Sequence, residues 1–328
     1  MDTRKLGKTD LEISPVGLGC WQFSQGKNMT GRMWSVLGQE TMDAVVAAAL
    51  DGGVTWFDTA QAYGNGASER ALSAALQHRG VEPGSVVVAT KWLPIGKPAG
   101  DIPRTIGTRL ACLHPYPIDL FQVHAPGSLS SIPAQMREMA KLVRAGQVRS
   151  VGVSNFSARQ MAQAAAALEE EGLTLASNQV RINLLERRVE TNGVLAAARG
   201  LGVTLIAYSP LAQGILTGRF HDDPAAARAL PWARRSRLSP SSRFLTPEGL
   251  RRCAPLIAEL RAVGEAHGAT VAQVALAWLV THYGDTVVAI PGASRAEQAT
   301  ATAAAGDLRL TEAEMASIDG ISAAIARR

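Results

Sequence analysis

Cysteine is scarce. Cys20, Cys112 and Cys253 are the three in 328 residues, odd in number and far apart. No C-x-x-C pair occurs, so neither a zinc site nor a disulfide framework is indicated. No His-x-His cluster is present, which argues against a metal-dependent hydrolase, and no metal is expected. No apolar run approaches the ~20 residues that span a bilayer. The opening Met1-Asp2-Thr3-Arg4-Lys5 lacks the hydrophobic region of a secretory signal, so a cytoplasmic protein without membrane contact is expected. Charged residues make up 19%, too few for a disordered chain, while 47% hydrophobic residues suffice for a real core. The net charge of +5 is densest in residues 228–243, where Trp232 is the one aromatic and Phe244 follows directly. With no nucleic-acid-binding motif, no DNA or RNA partner is expected, and a bound phosphate suits that stretch better.

What the chain does have is a repeat of short apolar runs, each closed by a polar residue. Val54-Thr55-Trp56-Phe57 ends at Asp58, residues 86–90 end at Lys91, and residues 120–123 end at His124. Val151-Gly152-Val153 is followed by Ser154 and Asn155, residues 175–178 by Gln179, and residues 203–207 by Tyr208. The steps are roughly 25–33 residues, the length of one strand and one returning helix. Helix-like stretches at 39–50, 68–79, 102–113, 132–143, 158–170 and 189–199 precede these strands. Glycines such as Gly80, Gly146, Gly172 and Gly202 punctuate them. Such a right-handed series predicts a parallel sheet with helices outside. In a closed barrel all six polar groups emerge at one end, where active sites sit.

The flanks differ. Residues 6–21 read as a hairpin closing the barrel floor, followed by the first barrel strand. Residues 217–246, rich in Pro, Arg and Ser, show no periodicity. Helices are predicted at 247–267 and 271–283, a last strand at 285–290, and helices at 295–305 and 312–325. Thr270 suits an N-cap, and Thr311 with Glu314 makes a capping-box signature. No linker separates two cores, so residues 1–328 are expected to form a single domain.

Asp58, Tyr63, Lys91 and His124 together suggest chemistry. Tyr63 lies just past the Asp58 strand end. A tyrosine is a poor acid at neutral pH, its reference pKa being about 10. A nearby ammonium favours the phenolate, so Lys91 could lower that value while Asp58 holds Lys91 protonated. His124 could donate a hydrogen bond to a carbonyl oxygen. The set would protonate an oxygen as negative charge develops on it, as carbonyl reduction by hydride transfer requires. Each residue alone has a plainer reading as a cap, a surface lysine, a core histidine or rim packing. Their coincidence at matching strand ends favours the chemical one.

In these residues the chain resembles the aldo-keto reductases over nearly its whole length. Gly152-Val153-Ser154-Asn155-Phe156, the stretch from Tyr208 to Gly218, and Ile290 to Gln298 match the family's ordered motifs. The resemblance implies an (α/β)8 TIM barrel with an N-terminal β-hairpin and extra helices before the last strand and at the C-terminus. It implies an NADPH-dependent reduction of an aldehyde or ketone to an alcohol, on a small-molecule carbonyl substrate. The catalytic tetrad would be Asp58, Tyr63, Lys91 and His124. Ser154, Asn155 and Gln179 would hold a nicotinamide carboxamide, and Tyr208 would stack on its ring. Ser209 and Leu211 would also bind the cofactor, and Gly214, Leu216 and Gly218 would let the backbone approach its diphosphate, with Arg243 as a phosphate contact. Gly292, Ser294, Arg295 and Gln298 would take the adenosine end. Ser294 and Arg295 suit a 2′-phosphate, favouring NADP(H), with NAD(H) possible. The family's Glu-Asn pair is replaced by Ala301 and Thr302, which removes polar contacts to adenine. Rim aromatics Trp21, Phe23, Trp34 and Trp92 are candidates for the substrate pocket, Trp21 and Trp92 foremost. Two other readings remain at this point: a cofactor-binding regulatory subunit of the same fold, and a Schiff-base aldolase using Lys91, which an adjacent Asp58 opposes. Neither oligomeric state nor physiological substrate is legible.

Overall fold

The computed structural model describes residues 1–27, 33–231 and 241–326. Residues 232–240, the centre of the Arg-rich stretch with Trp232, lie outside the described residues.

Two short strands, β1 (Arg4–Lys5) and β2 (Glu12–Ile13), pair antiparallel. Gly7 turns between them at φ +60°, and a Cβ there would meet Ala176 O at 2.5 Å, so only glycine allows so close an approach to the barrel. Eight strands follow: β3 (Leu18–Gly19), β4 (Trp56–Asp58), β5 (Val87–Trp92), β6 (Leu120–Val123), β7 (Ser150–Ser154), β8 (Leu175–Arg181), β9 (Thr204–Tyr208) and β10 (Val287–Ile290). They pair in chain order and in parallel. The first and last also meet, because Gly17 N–H donates to Ala289 O at 2.8 Å and Gly19 N–H to Pro291 O at 3.0 Å. The sheet is thereby a TIM barrel with no exposed edge to manage.

Alternation along the strands sorts the apolar residues into two layers. Trp56, Val87, Ala89, Leu120, Ile206, Val288 and Ile290 cluster in the lumen with Leu6, Leu11 and Ile13 of the hairpin. The hairpin is therefore the floor. Phe57, Val88, Phe121, Val123, Leu205 and Val287 face the helices. The same alternation continues upward, so Asp58, Lys91 and Gln122 occupy lumen positions above the apolar plug. At β7–β8 the register shifts between Val151 and Gly152, which returns Ser177, Gln179 and Arg181 to the lumen side. Gly152 makes room there, since a Cβ would meet Ser177 Oγ at 2.3 Å.

The helices between strands fall close to their predicted places: α1 (Gln39–Asp51), α2 (Ala67–His78), α3 (Asp101–Leu113), α4 (Ile132–Arg144) and α5 (Ala158–Glu169). One boundary is corrected. The helix predicted from Val189 begins at Val194 as α6 (Val194–Leu201), because Gly193 sits at φ +82° and Asn192 Oδ1 accepts from Val194 N–H at 3.1 Å. Among its described residues, the aperiodic stretch holds the short α-helices α7 (Arg219–Asp222) and α8 (Pro224–Arg228). Helices α9 (Pro247–His267), α10 (Val271–His282), α11 (Ala296–Ala304) and α12 (Glu312–Ala326) complete the chain. Thr270 caps α10 with Gln273 in a capping box, and Thr311 exchanges hydrogen bonds with Glu314 ahead of α12. Among the described residues no helix is long and apolar enough to cross a membrane.

Candidate active site

At the C-terminal end of the barrel the polar lumen residues form one network. Lys91 is fully buried and Asp58 is 1% exposed. Lys91 Nζ donates to Asp58 Oδ1, and to Thr59 O at 2.8 Å. Thr59 is held in turn, its hydroxyl donating to Ser68 Oγ at 2.8 Å and Ser68 to Cys20 O at 2.6 Å. A buried ion pair persists when further hydrogen bonds satisfy its remaining atoms. Here Gln179 Nε2 donates to Asp58 Oδ2 at 2.9 Å and Gln122 Nε2 to the same oxygen at 3.1 Å. Sequence reasoning missed Gln122. Its signal was present: a glutamine inside the apolar run 120–123, at a lumen position of the strand.

Tyr63 lies over this pair, with Lys91 Nζ 5.1 Å from its ring centroid. His124 meets the same ring edge-on, centroids 5.7 Å apart at 84°. Trp21 stacks on it at 5.7 Å and 18°, with Trp34 edge-on to Trp21 at 5.8 Å. Burial, then the charge of Asp58, push the Tyr63 phenol well above its ordinary value. The expected lowering by Lys91 is therefore not found. Burial, followed by repulsion from Lys91, pushes the His124 imidazole down to about 3. At neutral pH the site thus presents a protonated phenol and a neutral imidazole, both able to donate a hydrogen bond.

Trp92 is corrected. It follows Lys91 on β5, so it points outward, wholly buried against the helices, with Nε1 donating to Asp101 Oδ2 at 2.9 Å. Phe23 is likewise core rather than rim. Trp21 and Trp34 are the aromatics beside Tyr63.

The second group lies on the next strands. Ser154 Oγ donates to Gln179 O at 2.9 Å, Asn155 Nδ2 to Ser154 Oγ at 3.0 Å, and Tyr208 OH to Asn155 Oδ1 at 2.9 Å. Asn155 sits at φ +60° immediately after β7, which turns its carboxamide to the mouth. Beyond Tyr208 the backbone is unusual: Ser209, Ala212 and Gln213 have φ of +50°, +47° and +57°, followed by Gly214 at +94° and Gly218 at +81°. Left-handed non-glycine residues cost about 1–3 kcal/mol each and concentrate at functional sites. Leu211 lies within this turn and Leu216 is buried in the core. After β10, Gly292 packs on Gln22, Ser294 N–H and Oγ donate to Gln298 Oε1 at 2.9 and 3.1 Å, and Arg295 is exposed ahead of α11. Arg243 lies over the Phe244 ring at 4.6 Å. The donor set fits a nicotinamide dinucleotide: amides and a hydroxyl for a carboxamide, a flat ring beside them, and a backbone turn suited to a diphosphate.

The aldo/keto reductase family model matches residues 15–323. An uncharacterized oxidoreductase of Mycobacterium bovis is 36% identical over 305 residues, covering 92% of this chain and 86% of that protein. The chloroplastic pyridoxal reductase of Arabidopsis thaliana is 30% identical over 302 residues, covering 88% of this chain and 78% of that one. Among solved structures, the glycerol dehydrogenase of Gluconobacter oxydans superposes with a TM-score of 0.81 at 28% identity, over 100% of this chain and 97% of that one. The barrel, the polar ring at its C-terminal mouth and these matches lead to one conclusion: the chain belongs to the aldo/keto reductase family.

Proposed function

We propose that the protein is an NADPH-dependent carbonyl reductase that converts an aldehyde or ketone to an alcohol. The buried Lys91–Asp58 pair beneath Tyr63, with His124 against the same ring, carries this reading. Ser154 and Asn155 would bind the nicotinamide carboxamide. Gln179, its nitrogen held by Asp58 and Gln122, would offer its oxygen to the same group. Tyr208 would cover one ring face and leave the other open to substrate. The cofactor supplies the hydride. Tyr63 donates its proton to the developing alkoxide, and the phenolate charge that forms is met by the Lys91 ammonium. Asp58 fixes that ammonium and the two glutamines fix Asp58. His124, neutral and edge-on to Tyr63, orients the carbonyl oxygen. Trp21 and Trp34 wall the substrate side.

The test is oxidation of NADPH and NADH against pyridoxal, an aromatic aldehyde and methylglyoxal, with glycerol oxidation as the reverse assay. Pyridoxal and glycerol are included because the Arabidopsis and Gluconobacter relatives are named for them. NADPH-dependent turnover on one of these is expected; none with either cofactor counts against the reading. Arg295→Ala should weaken NADPH more than NADH, because an exposed guanidinium beside Ser294 suits a 2′-phosphate. Equal weakening would remove Arg295 from that role.

The His124 environment makes a further prediction. An imidazole titrating near 3 cannot change charge between about pH 5 and 8. The kcat/KM profile should show no limb from His124 in that window. A limb near the ordinary histidine value that vanishes in His124→Asn would mean that the imidazole cycles its proton.

A further inference from the structure

Arg181 ends β8 on the lumen side, directly beyond Ser177 and Gln179, in register with Tyr208 on β9. Its guanidinium lies 5.3 Å from the Tyr208 ring centroid. Among the described residues its one polar partner is Ser241, with Nη1 3.4 Å from Oγ, and it forms no ion pair. The residues outside the description include no Asp or Glu, so no side-chain carboxylate elsewhere can serve it. Glu186 lines the same cleft but is bound by Arg188 at 2.5 Å. Arg187, by contrast, is bound by Glu190 at 2.8 Å and Asp319 at 2.7 Å. A guanidinium carries five N–H donors in a planar fork. One long hydroxyl contact at a half-buried position leaves most of them for something else.

Ala212 lines the same cleft. It belongs to the left-handed turn from Ser209 to Gly214, where strained φ values bend the chain as in backbone anion nests. A fork-shaped cation, a serine hydroxyl and such a turn therefore converge beside the Tyr208 ring. We infer that Arg181 binds an anionic group of a ligand in this cleft: a diphosphate oxygen of the dinucleotide, or a carboxylate on the carbonyl substrate. The inference rests on the reductase reading above and adds to it a residue that sets which ligands the site accepts. Planar bidentate pairing with phosphate or carboxylate is what arginine does better than lysine.

The experiment uses the full chain, with Arg181→Met and Arg181→Lys beside wild type. NADPH and NADH affinities are read from quenching of tryptophan fluorescence, and KM is compared for succinic semialdehyde and uncharged butanal. Far-UV circular dichroism confirms that each variant is folded. If the anion is the diphosphate, Arg181→Met weakens both dinucleotides alike by about tenfold or more, on the order of 1.4 kcal/mol, and Arg181→Lys recovers part of the loss. If the anion is a substrate carboxylate, cofactor affinity is unchanged and KM rises about tenfold for succinic semialdehyde only. Wild type that binds cofactor, together with an Arg181→Met variant that changes neither quantity, overturns the inference while leaving the reductase reading intact. Wild type that binds neither dinucleotide overturns both.

Discussion

Replacing Tyr63 with phenylalanine should lower turnover by about 10²- to 10⁴-fold, the range a positioned general acid contributes, while leaving cofactor affinity within a fewfold of wild type. The substitution removes one oxygen and keeps the ring, so the stack on Trp21 and the edge contact with His124 both survive. The cofactor-side residues Ser154, Asn155, Gln179 and Tyr208 lie on other strands and bond to one another rather than to Tyr63. Burial keeps the phenol protonated, so the wild-type acid is available across the physiological range. Stopped-flow hydride transfer beside a cofactor titration separates the two effects. Full turnover in the phenylalanine variant would move the acid to His124. Loss of cofactor binding along with turnover would mean that Tyr63 helps build the cofactor site.

Replacing Lys91 with methionine should abolish turnover and also destabilise the fold. Asp58 would keep the two glutamine amides but lose its cationic partner. Breaking a buried pair by removing one member costs about 3–5 kcal/mol, because an uncompensated charge stays inside. Removing both members is much milder, since a buried pair is often replaceable by apolar side chains. The Asp58→Leu, Lys91→Met double variant should therefore regain a large part of the lost stability and none of the turnover. Calorimetric melting of the single and double variants gives the comparison. A single variant as stable as wild type would contradict the account of a buried, mutually dependent pair.

How much of this was legible depends on the type of signal. The strand-and-helix alternation was readable because its periodicity is local, and α9 (Pro247–His267) falls at the predicted bounds. Asp58, Lys91, Ser154 and Tyr208 were readable because a polar residue closing an apolar run stands out. Trp92 misled for a physical reason. Adjacency in sequence to Lys91 means the opposite face of a strand, so the neighbour of an inward lysine is an outward core tryptophan. Gln122 and Arg181 were overlooked because each sits within a strand and gains meaning only from neighbours across the sheet. The direction of the Tyr63 shift was misjudged because burial, followed by the charge of Asp58, sets it.

By itself the sequence determined the element order, the hairpin, the caps and the identity of the polar residues at strand ends, since these follow from periodicity and residue type along a continuous chain. Only the tertiary structure decided which groups meet. Barrel closure between Gly17 and Ala289 brings β10 back to β3. The register shift at β7–β8 aims Gln179 at Asp58 and Arg181 at the cleft beside Tyr208. Burial, which no residue possesses alone, keeps the phenol protonated and the imidazole neutral. Those are properties of a closed, low-dielectric space, and a linear order of side chains does not contain them.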